Sequence, residues 1–288
     1  MSHTGGFVQT VAQLAYPTGH RMRQHTLMTI SLVLPTVLAA QSSATRESPD
    51  RTMLAFETFA DVYGSRLVAA FDSIPATQYG YRPTPPQQTI GYIAQHLEDA
   101  NYGLCERLSD LKHARTSKDS LTDTDKARWP KDTLVTRLKA SLDFCDNAME
   151  RVATHQLPAL TLLALDTDLA EHYSQISNYM RLLGMVPPSA LPPKQRTVIE
   201  LPASALSPYV GVYQLVPGLE LELTMRDGAL SVRSTEGGAP VRLWPESSSD
   251  FFVRATDAQL TFTRDASGSV TGLVLHQYGR DRSARKIR

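Results

Sequence analysis

The chain lacks net charge, and this absence argues against one class of partner. Lys and Arg together number 29, as do Asp and Glu, so the formal net charge is zero. A balanced chain has no electrostatic reason to bind nucleic acid or an anionic membrane, and we expect neither as a partner. Basic residues do gather near the end of the chain, where the sequence predicts a solvated tail. They are Arg280, Arg282, Arg285, Lys286 and Arg288.

Several motifs with well-understood chemistry are also missing. The sequence contains no Gly-rich phosphate-binding loop, no dinucleotide-binding fingerprint, no Gly-x-Ser-x-Gly motif and no internal repeat. Nothing in it therefore predicts a nucleotide-dependent enzyme or an α/β-hydrolase. The catalytic residues stay unassigned at this stage.

An apolar run near the N-terminus, from Leu27 through Leu38, is too short to cross a bilayer, which needs about 20 residues. Basic residues precede this run, and Val37 and Ala39 fit the small-residue positions of a signal-peptidase site. We expect residues 1–40 to be a signal peptide with its upstream segment. The mature protein would then be exported, periplasmic or secreted, with no membrane span. A buried N-terminal helix is the alternative.

Export changes the interpretation of the two cysteines, Cys105 and Cys145. Oxidising compartments favour pairing of thiols, so we predict a disulfide that joins two helices. Two buried free thiols are the alternative, since a disulfide requires the two Cα atoms to lie within reach of each other.

Apolar residues at helical spacing predict the first part of the fold. The predicted helices span about 51–73, 88–109, 131–154 and 158–184. Their connections are short or moderate, so the sequence predicts a four-helix bundle over residues 51–185. A Pro-rich linker follows over residues 186–198.

Beyond the linker the apolar period changes to two, which is typical of strands. Asp227-Gly228 is a strong hairpin-turn signal within this region. The predicted strands are Leu219–Met225, Ala229–Arg233, Phe251–Arg254, Gln259–Arg264 and Val270–Gln277. Many short strands with turns between them predict a closed antiparallel barrel or a sandwich over residues 199–288. The fold class is therefore α + β, with two domains.

Three polar side chains fall on helical stripes that otherwise carry apolar residues. His96 shares a stripe with Ile93, and Asp168 and His172 share another with Ile176. A buried polar group is costly unless it is paired or binds something. Two imidazoles and a carboxylate that converge inside a bundle can form a divalent-metal site. Core histidines that bond only to neighbouring side chains are the alternative.

The helical part resembles the DinB/YfiT-like family of four-helix bundles. The resemblance rests on the stretches SIPATQYGYRPTP, TIGYIAQHLEDANYGLC and AEHYSQISNYMRLLGMVPPS. It implies a metal site with one histidine on the second helix and an i, i+4 pair on the fourth. His96 and His172 match two of these positions, whereas Asp168 stands where the family usually has histidine. The implied ion is zinc or nickel, with manganese or iron as alternatives.

The C-terminal part resembles the small β-domain appended to some serine β-lactamase-like hydrolases. The stretches YVGVYQLVPGLELELTMRDGALSV and LTFTRDASGSVTGLVLHQYGR carry this resemblance. It implies an accessory antiparallel barrel of lipocalin-like character, and it brings no catalytic signature with it.

These resemblances lead to two functional hypotheses. The first is an exported, metal-dependent hydrolase or thiol transferase that acts on a small molecule, with Gln95, Asp99 or Glu171 supporting the ligand histidines. The second is a non-catalytic protein that binds a ligand or partner in the β-barrel and carries a vestigial metal site. Members of the helical family often pair through helix faces, so a homodimer is compatible with either hypothesis.

Overall fold

A computed structural model describes residues 49–152, 157–192 and 194–288 of the chain. All of these residues fall within one compact unit. The predicted signal peptide at residues 1–40 lies outside the described residues. Within the described part, no helix has both the length and the apolar character needed to cross a membrane.

Four long helices form the predicted bundle. The α-helices in the described part of the chain are α1 (Pro49–Ser73), α2 (Ile90–Cys105), α3 (Asp123–Lys126), α4 (Lys131–Met149), α5 (Ala159–Leu182) and α6 (Ala203–Leu206). Helices α1 and α2 each pack against both α4 and α5. Helices α2 and α4 end several residues earlier than the sequence pattern predicts.

Local sequence signals set the helix ends. The Thr89 side chain accepts a hydrogen bond from the Tyr92 backbone N–H and caps the start of α2. Gly184 has φ of 73°, and the next residue, Met185, donates its backbone N–H to the Met180 carbonyl at 2.8 Å. This left-handed residue ends α5 where the sequence predicts the end.

The bundle core is made mainly of aliphatic side chains, including the fully buried Leu67, Leu97, Leu138 and Ile176. Each such side chain contributes about 1.5 to 3 kcal/mol by leaving water. Cys105 of α2 and Cys145 of α4 lie at disulfide distance, with their Cα atoms 5.1 Å apart. The geometry therefore suits the predicted link between two helices.

The C-terminal part is a nine-stranded antiparallel sheet with the strand order β4-β3-β2-β1-β9-β8-β7-β6-β5. The strands are β1 (Gly211–Val216), β2 (Leu219–Arg226), β3 (Ala229–Ser234), β4 (Gly237–Arg242), β5 (Trp244–Pro245), β6 (Asp250–Val253), β7 (Ala258–Arg264), β8 (Val270–Gln277) and β9 (Arg280–Lys286). Leu243 alone separates the two edge strands in sequence, and the sheet curls into a nearly closed barrel. Asp227 and Gly228 both have positive φ in the β2–β3 turn, as predicted.

Aromatic side chains fill the barrel interior. Tyr209, Tyr213, Phe251 and Phe262 are all buried, and the Tyr209 and Phe262 ring centroids lie 4.3 Å apart. The Tyr213 hydroxyl donates to the Tyr209 carbonyl at 2.9 Å, so its polar end is satisfied within the barrel. The interior is thus occupied by the barrel's own side chains.

Four of the five basic C-terminal residues, all except Arg288, lie in a central strand, so the prediction of a solvated tail is wrong for them. Strand β9 pairs with β1 on one side and β8 on the other. Its only buried apolar residue is Ala284, while Arg280 and Arg282 point at α1 and pair with the buried Asp61 at 3.0 and 2.6 Å. Arg280 also pairs with Asp146 of α4. These distant carboxylates pair with the arginines of the strand, and the local sequence carries no sign of them.

Candidate metal centre

Helices α2 and α5 bring three potential metal ligands together. His96, Asp168 and His172 each offer one ligand atom, and these atoms all lie within 4.8 Å of one another. His96 Nε2 lies 3.9 Å from Asp168 Oδ1, and His172 Nδ1 lies 3.3 Å from the same oxygen. The sequence prediction of this cluster therefore agrees with the geometry.

The packing of the two helices fixes these positions. Asp168 and His172 are one turn apart on α5, so their side chains lie on the same side of the helix. Leu169 between them is fully buried and holds this turn against the core. On α2, the fully buried Ile93 and Leu97 flank His96 in the same way. The cluster thus rests on rigid elements, which limits its movement.

A backbone contact orients the His172 ring. Its Nδ1 lies 2.8 Å from the Asp168 carbonyl oxygen, which can only accept, so Nδ1 carries the hydrogen. When the ring is neutral, Nε2 then carries the free lone pair and is the nitrogen that can bind a metal. Burial lowers the pKa of His172, but its hydrogen bonds to Asp168 and the charge of that residue outweigh burial and raise the pKa overall.

The carboxylate of Asp168 has an oxygen that no protein group satisfies. Its Oδ2 is buried and has no hydrogen-bond partner among the described residues. A buried carboxylate oxygen without a partner is costly, and a bound cation would remove that cost. Ligand atoms about 2 Å from one zinc ion lie roughly 3 to 4 Å apart, and His96 Nε2 lies 3.9 Å from Asp168 Oδ1. The residues therefore fit a divalent metal.

The cluster lies at the edge of the bundle and not in its centre. The His96 side chain is 38% exposed, whereas that of His172 is 11% exposed. The prediction that all three side chains point into the interior is therefore wrong for His96, because the buried face of α2 runs through Leu97 and Asn101. Tyr92 stacks beside the His96 ring, at 6.3 Å between ring centroids. The exposed side gives small molecules a route to the cluster.

The residues expected to support the histidines have other partners or none. Asp99 pairs with Lys126 at 2.7 Å, and Glu171 is exposed. Within the described part of the chain, the side chains of Gln95, Asp99 and Glu171 make no hydrogen bond to either ligand ring. Sequence reasoning missed the Asp168 carbonyl as the actual partner. The i, i−4 spacing from His172 to Asp168 is the signal that points to it.

A third histidine, His276 on β8, has a hydrogen-bond pattern that superficially resembles a catalytic triad. Its Nδ1 lies 2.6 Å from Asp281, and its Nε2 lies 3.0 Å from the Thr261 hydroxyl. That hydroxyl donates its own hydrogen to Asp250 at 2.7 Å. Thr261 is therefore held as a donor within a structural network, and the histidine does not take up its proton.

Comparison with known proteins agrees with this description. Residues 61–165 match the DinB superfamily, and residues 195–286 match a domain of unknown function, DUF3471. A DinB superfamily domain and a DUF3471 β-barrel region are thus present in one chain. The DinB match includes His96 and ends before Asp168, so the geometry alone joins the α5 ligands to it. A search of curated proteins finds no match.

Proposed function

We propose that this chain is an exported, metal-dependent enzyme, a hydrolase or thiol transferase in class. The ion is a divalent transition metal, zinc or nickel, held by His96, Asp168 and His172. The single observation that carries the proposal is the meeting of these three groups, one of which, Asp168, has a buried carboxylate oxygen with no partner among the described residues. The presence of a DinB superfamily domain supports it.

The protein's own residues have separate tasks in this proposal. His172 and Asp168 form the buried side of the site, and the Asp168 carbonyl holds the His172 ring in place. His96 forms the exposed side, where a small substrate can approach. Three protein ligands leave coordination positions open, and an ion in such a site lowers the pKa of a coordinated water or thiol.

The competing hypothesis, a binding protein that uses the β-barrel, has less support. That hypothesis requires room inside the barrel for an apolar ligand. Tyr209, Tyr213, Phe251 and Phe262 instead pack against one another there. The filled interior favours a structural or accessory role for the barrel.

Activity of the reconstituted protein tests the proposal. The full chain is stripped with a chelator, reloaded with zinc or nickel, and screened for hydrolysis and for thiol transfer. We expect activity to return with the metal and to be lost in His172→Ala, whose helical circular dichroism should stay unchanged. His276→Ala is the matched control and should keep the activity. Equal activity in stripped and reloaded protein would contradict the proposal.

Export is the part of the proposal that rests on the sequence alone. N-terminal sequencing of protein recovered from outside the cytoplasm should give a terminus next to Ala39 or Ala40. A terminus at Met1, Met22 or Met28 in that material would contradict cleavage there.

A further inference from the structure

An open apolar groove lies between the N-terminal halves of α1 and α5. Phe56 and Phe59 line it from α1, and Leu163 and Ala170 line it from α5. Its volume is about 660 Å³, within the range of sites that hold small molecules. Phe59 is 45% exposed and Leu163 is 55% exposed, which is unusual for such large apolar side chains.

A buried acid also lines this groove. Asp166 is only 6% exposed, and its Oδ1 has no hydrogen-bond partner among the described residues. Buried acids in proteins are almost always paired, so an unpaired one beside an open groove indicates a missing donor. The described residues that line the groove include Glu171 at its rim and no Lys or Arg. The described residues that line the groove therefore offer no cation to this acid.

The groove is separate from the metal centre. Asp166 precedes Asp168 by two positions on α5, so the two side chains point about 200° apart around the helix axis. One carboxylate faces α1 and the groove, and the other faces α2 and the two histidines.

We propose that this groove binds an apolar small molecule with an amino group, which donates a hydrogen bond to Asp166 Oδ1. The apolar part lies on Phe56, Phe59 and Leu163. The amino group satisfies the buried oxygen and is further attracted by Glu171. A carboxylate on the same apolar body has no hydrogen to donate to Asp166 Oδ1 and is repelled by Glu171. A second copy of the chain would bring further acids to this surface.

Calorimetric titration of the full chain with three matched probes tests this inference. The probes are decylamine, decanol and decanoate, each below its micelle-forming concentration, with chelator present so that the amine cannot bind a metal. Because a hydrogen bond to a charged group is strong, decylamine should bind roughly tenfold or more tightly than decanol. Decanoate should bind most weakly. Equal affinities for the amine and the alcohol would overturn the inference.

Two groove variants assign the preference to Asp166. Asp166→Asn keeps the shape and should reduce decylamine binding to the decanol level while leaving decanol binding unchanged. Leu163→Gln, at an exposed position, should weaken both probes. Glu171→Gln is the matched control and should lower decylamine affinity by less than about threefold.

Two outcomes would show that the assignment is wrong. One is a loss of amine preference in Glu171→Gln as large as that in Asp166→Asn. The other is a chain that binds neither probe and sediments as a dimer that Leu163→Gln disperses, which would assign the groove to a second copy.

Discussion

The helical bundle and the β-barrel differ in how they treat buried polar groups. In the described residues, the buried side-chain polar atoms without a partner are Asn101 Oδ1, Asp166 Oδ1, Asp168 Oδ2 and Ser177 Oγ, and all of them lie in the bundle. In the barrel, the Tyr213 hydroxyl, His276 and Asp250 all have partners. In the barrel these polar groups have hydrogen-bond partners within the protein, whereas the bundle contains buried polar atoms that have no partner among the described residues.

This difference separates structural from functional regions. An unpartnered buried atom lowers stability unless a ligand, an ion or water supplies the missing contact. Asp168 and Asp166 lie at the metal centre and in the α1–α5 groove, respectively. We therefore expect mutations in the barrel to change stability and mutations in the bundle's polar clusters to change binding.

The largest expected loss of stability comes from Phe262→Ala in the barrel. Phe262 packs on Tyr209, Tyr213 and Phe251, and its removal should lower the unfolding free energy by about 3 to 5 kcal/mol. Guanidinium unfolding, followed by Trp244 fluorescence in a Trp129→Phe background, measures this loss in the barrel. Phe262→Leu should lower the unfolding free energy clearly less than Phe262→Ala does. If Phe262→Ala also lost its bound metal, the barrel would determine metal binding as well as stability, and this result would contradict the distinction between the two regions.

The next largest effect concerns a link that only the bundle has. Cys105 and Cys145 are separated by 40 positions, so a disulfide between them should stabilise the bundle by about 2 to 4 kcal/mol. Intact mass with alkylation, before and after reduction, should show both thiols blocked in protein from an oxidising compartment. Two freely alkylated thiols, or unchanged stability after reduction, would count against the link.

The sequence predicts the bundle and its site better than it predicts the barrel. The helices of the bundle depend on residues that lie one turn apart along the same helix, and the sequence around His172 shows this spacing. Strand β9 depends on Asp61, which is more than 200 positions away, so its arginines resemble a solvated tail. Strand β4 carries two glycines and a proline, and its local sequence does not favour a strand. The exposure of His96 was missed because helical periodicity defines a stripe and not its exact edge.

Asp61→Asn tests how far the two regions depend on each other. Asp61 of α1 is buried and accepts hydrogen bonds from Arg280 and Arg282 of β9, so its loss should lower the unfolding free energy by about 2 to 3 kcal/mol. The bundle and the barrel should then unfold at more separate denaturant concentrations, reported by Trp129 and Trp244. Asp72→Asn, which removes an exposed pair with Lys139, should cost less than about 1 kcal/mol. Similar losses of unfolding free energy in Asp61→Asn and Asp72→Asn would contradict the coupling of the bundle and the barrel through Asp61.

The smallest predicted effect compares a satisfied with an unsatisfied carboxylate in the bundle. Burial raises the pKa of Asp119, but hydrogen bonds from Thr116 and Arg137 outweigh burial and hold that pKa well below its usual range. A lowered pKa stabilises the fold above the unfolded-state value of about 4, and this stability is lost as the pH falls below it. Asp119→Asn should therefore cost about 1 to 2 kcal/mol at neutral pH and progressively less below about pH 4.

Asp168→Asn is the matching variant for this comparison. Asp168 Oδ1 lies 3.3 Å from His172 Nδ1, but Oδ2 has no partner among the described residues, so the substitution should lower the unfolding free energy of metal-free protein by less than Asp119→Asn does. Denaturant unfolding of both variants at pH 7 and pH 3 measures the difference. A larger loss in Asp168→Asn would mean that this carboxylate has a structural role.

The most direct measurement is the metal content of the protein, by elemental mass spectrometry, after purification without a His-tag or chelator. The account predicts about one transition-metal ion per chain, lost in His96→Ala and retained in His276→Ala. Absence of bound metal after loading with zinc, nickel and manganese, or full occupancy in His96→Ala, would contradict it.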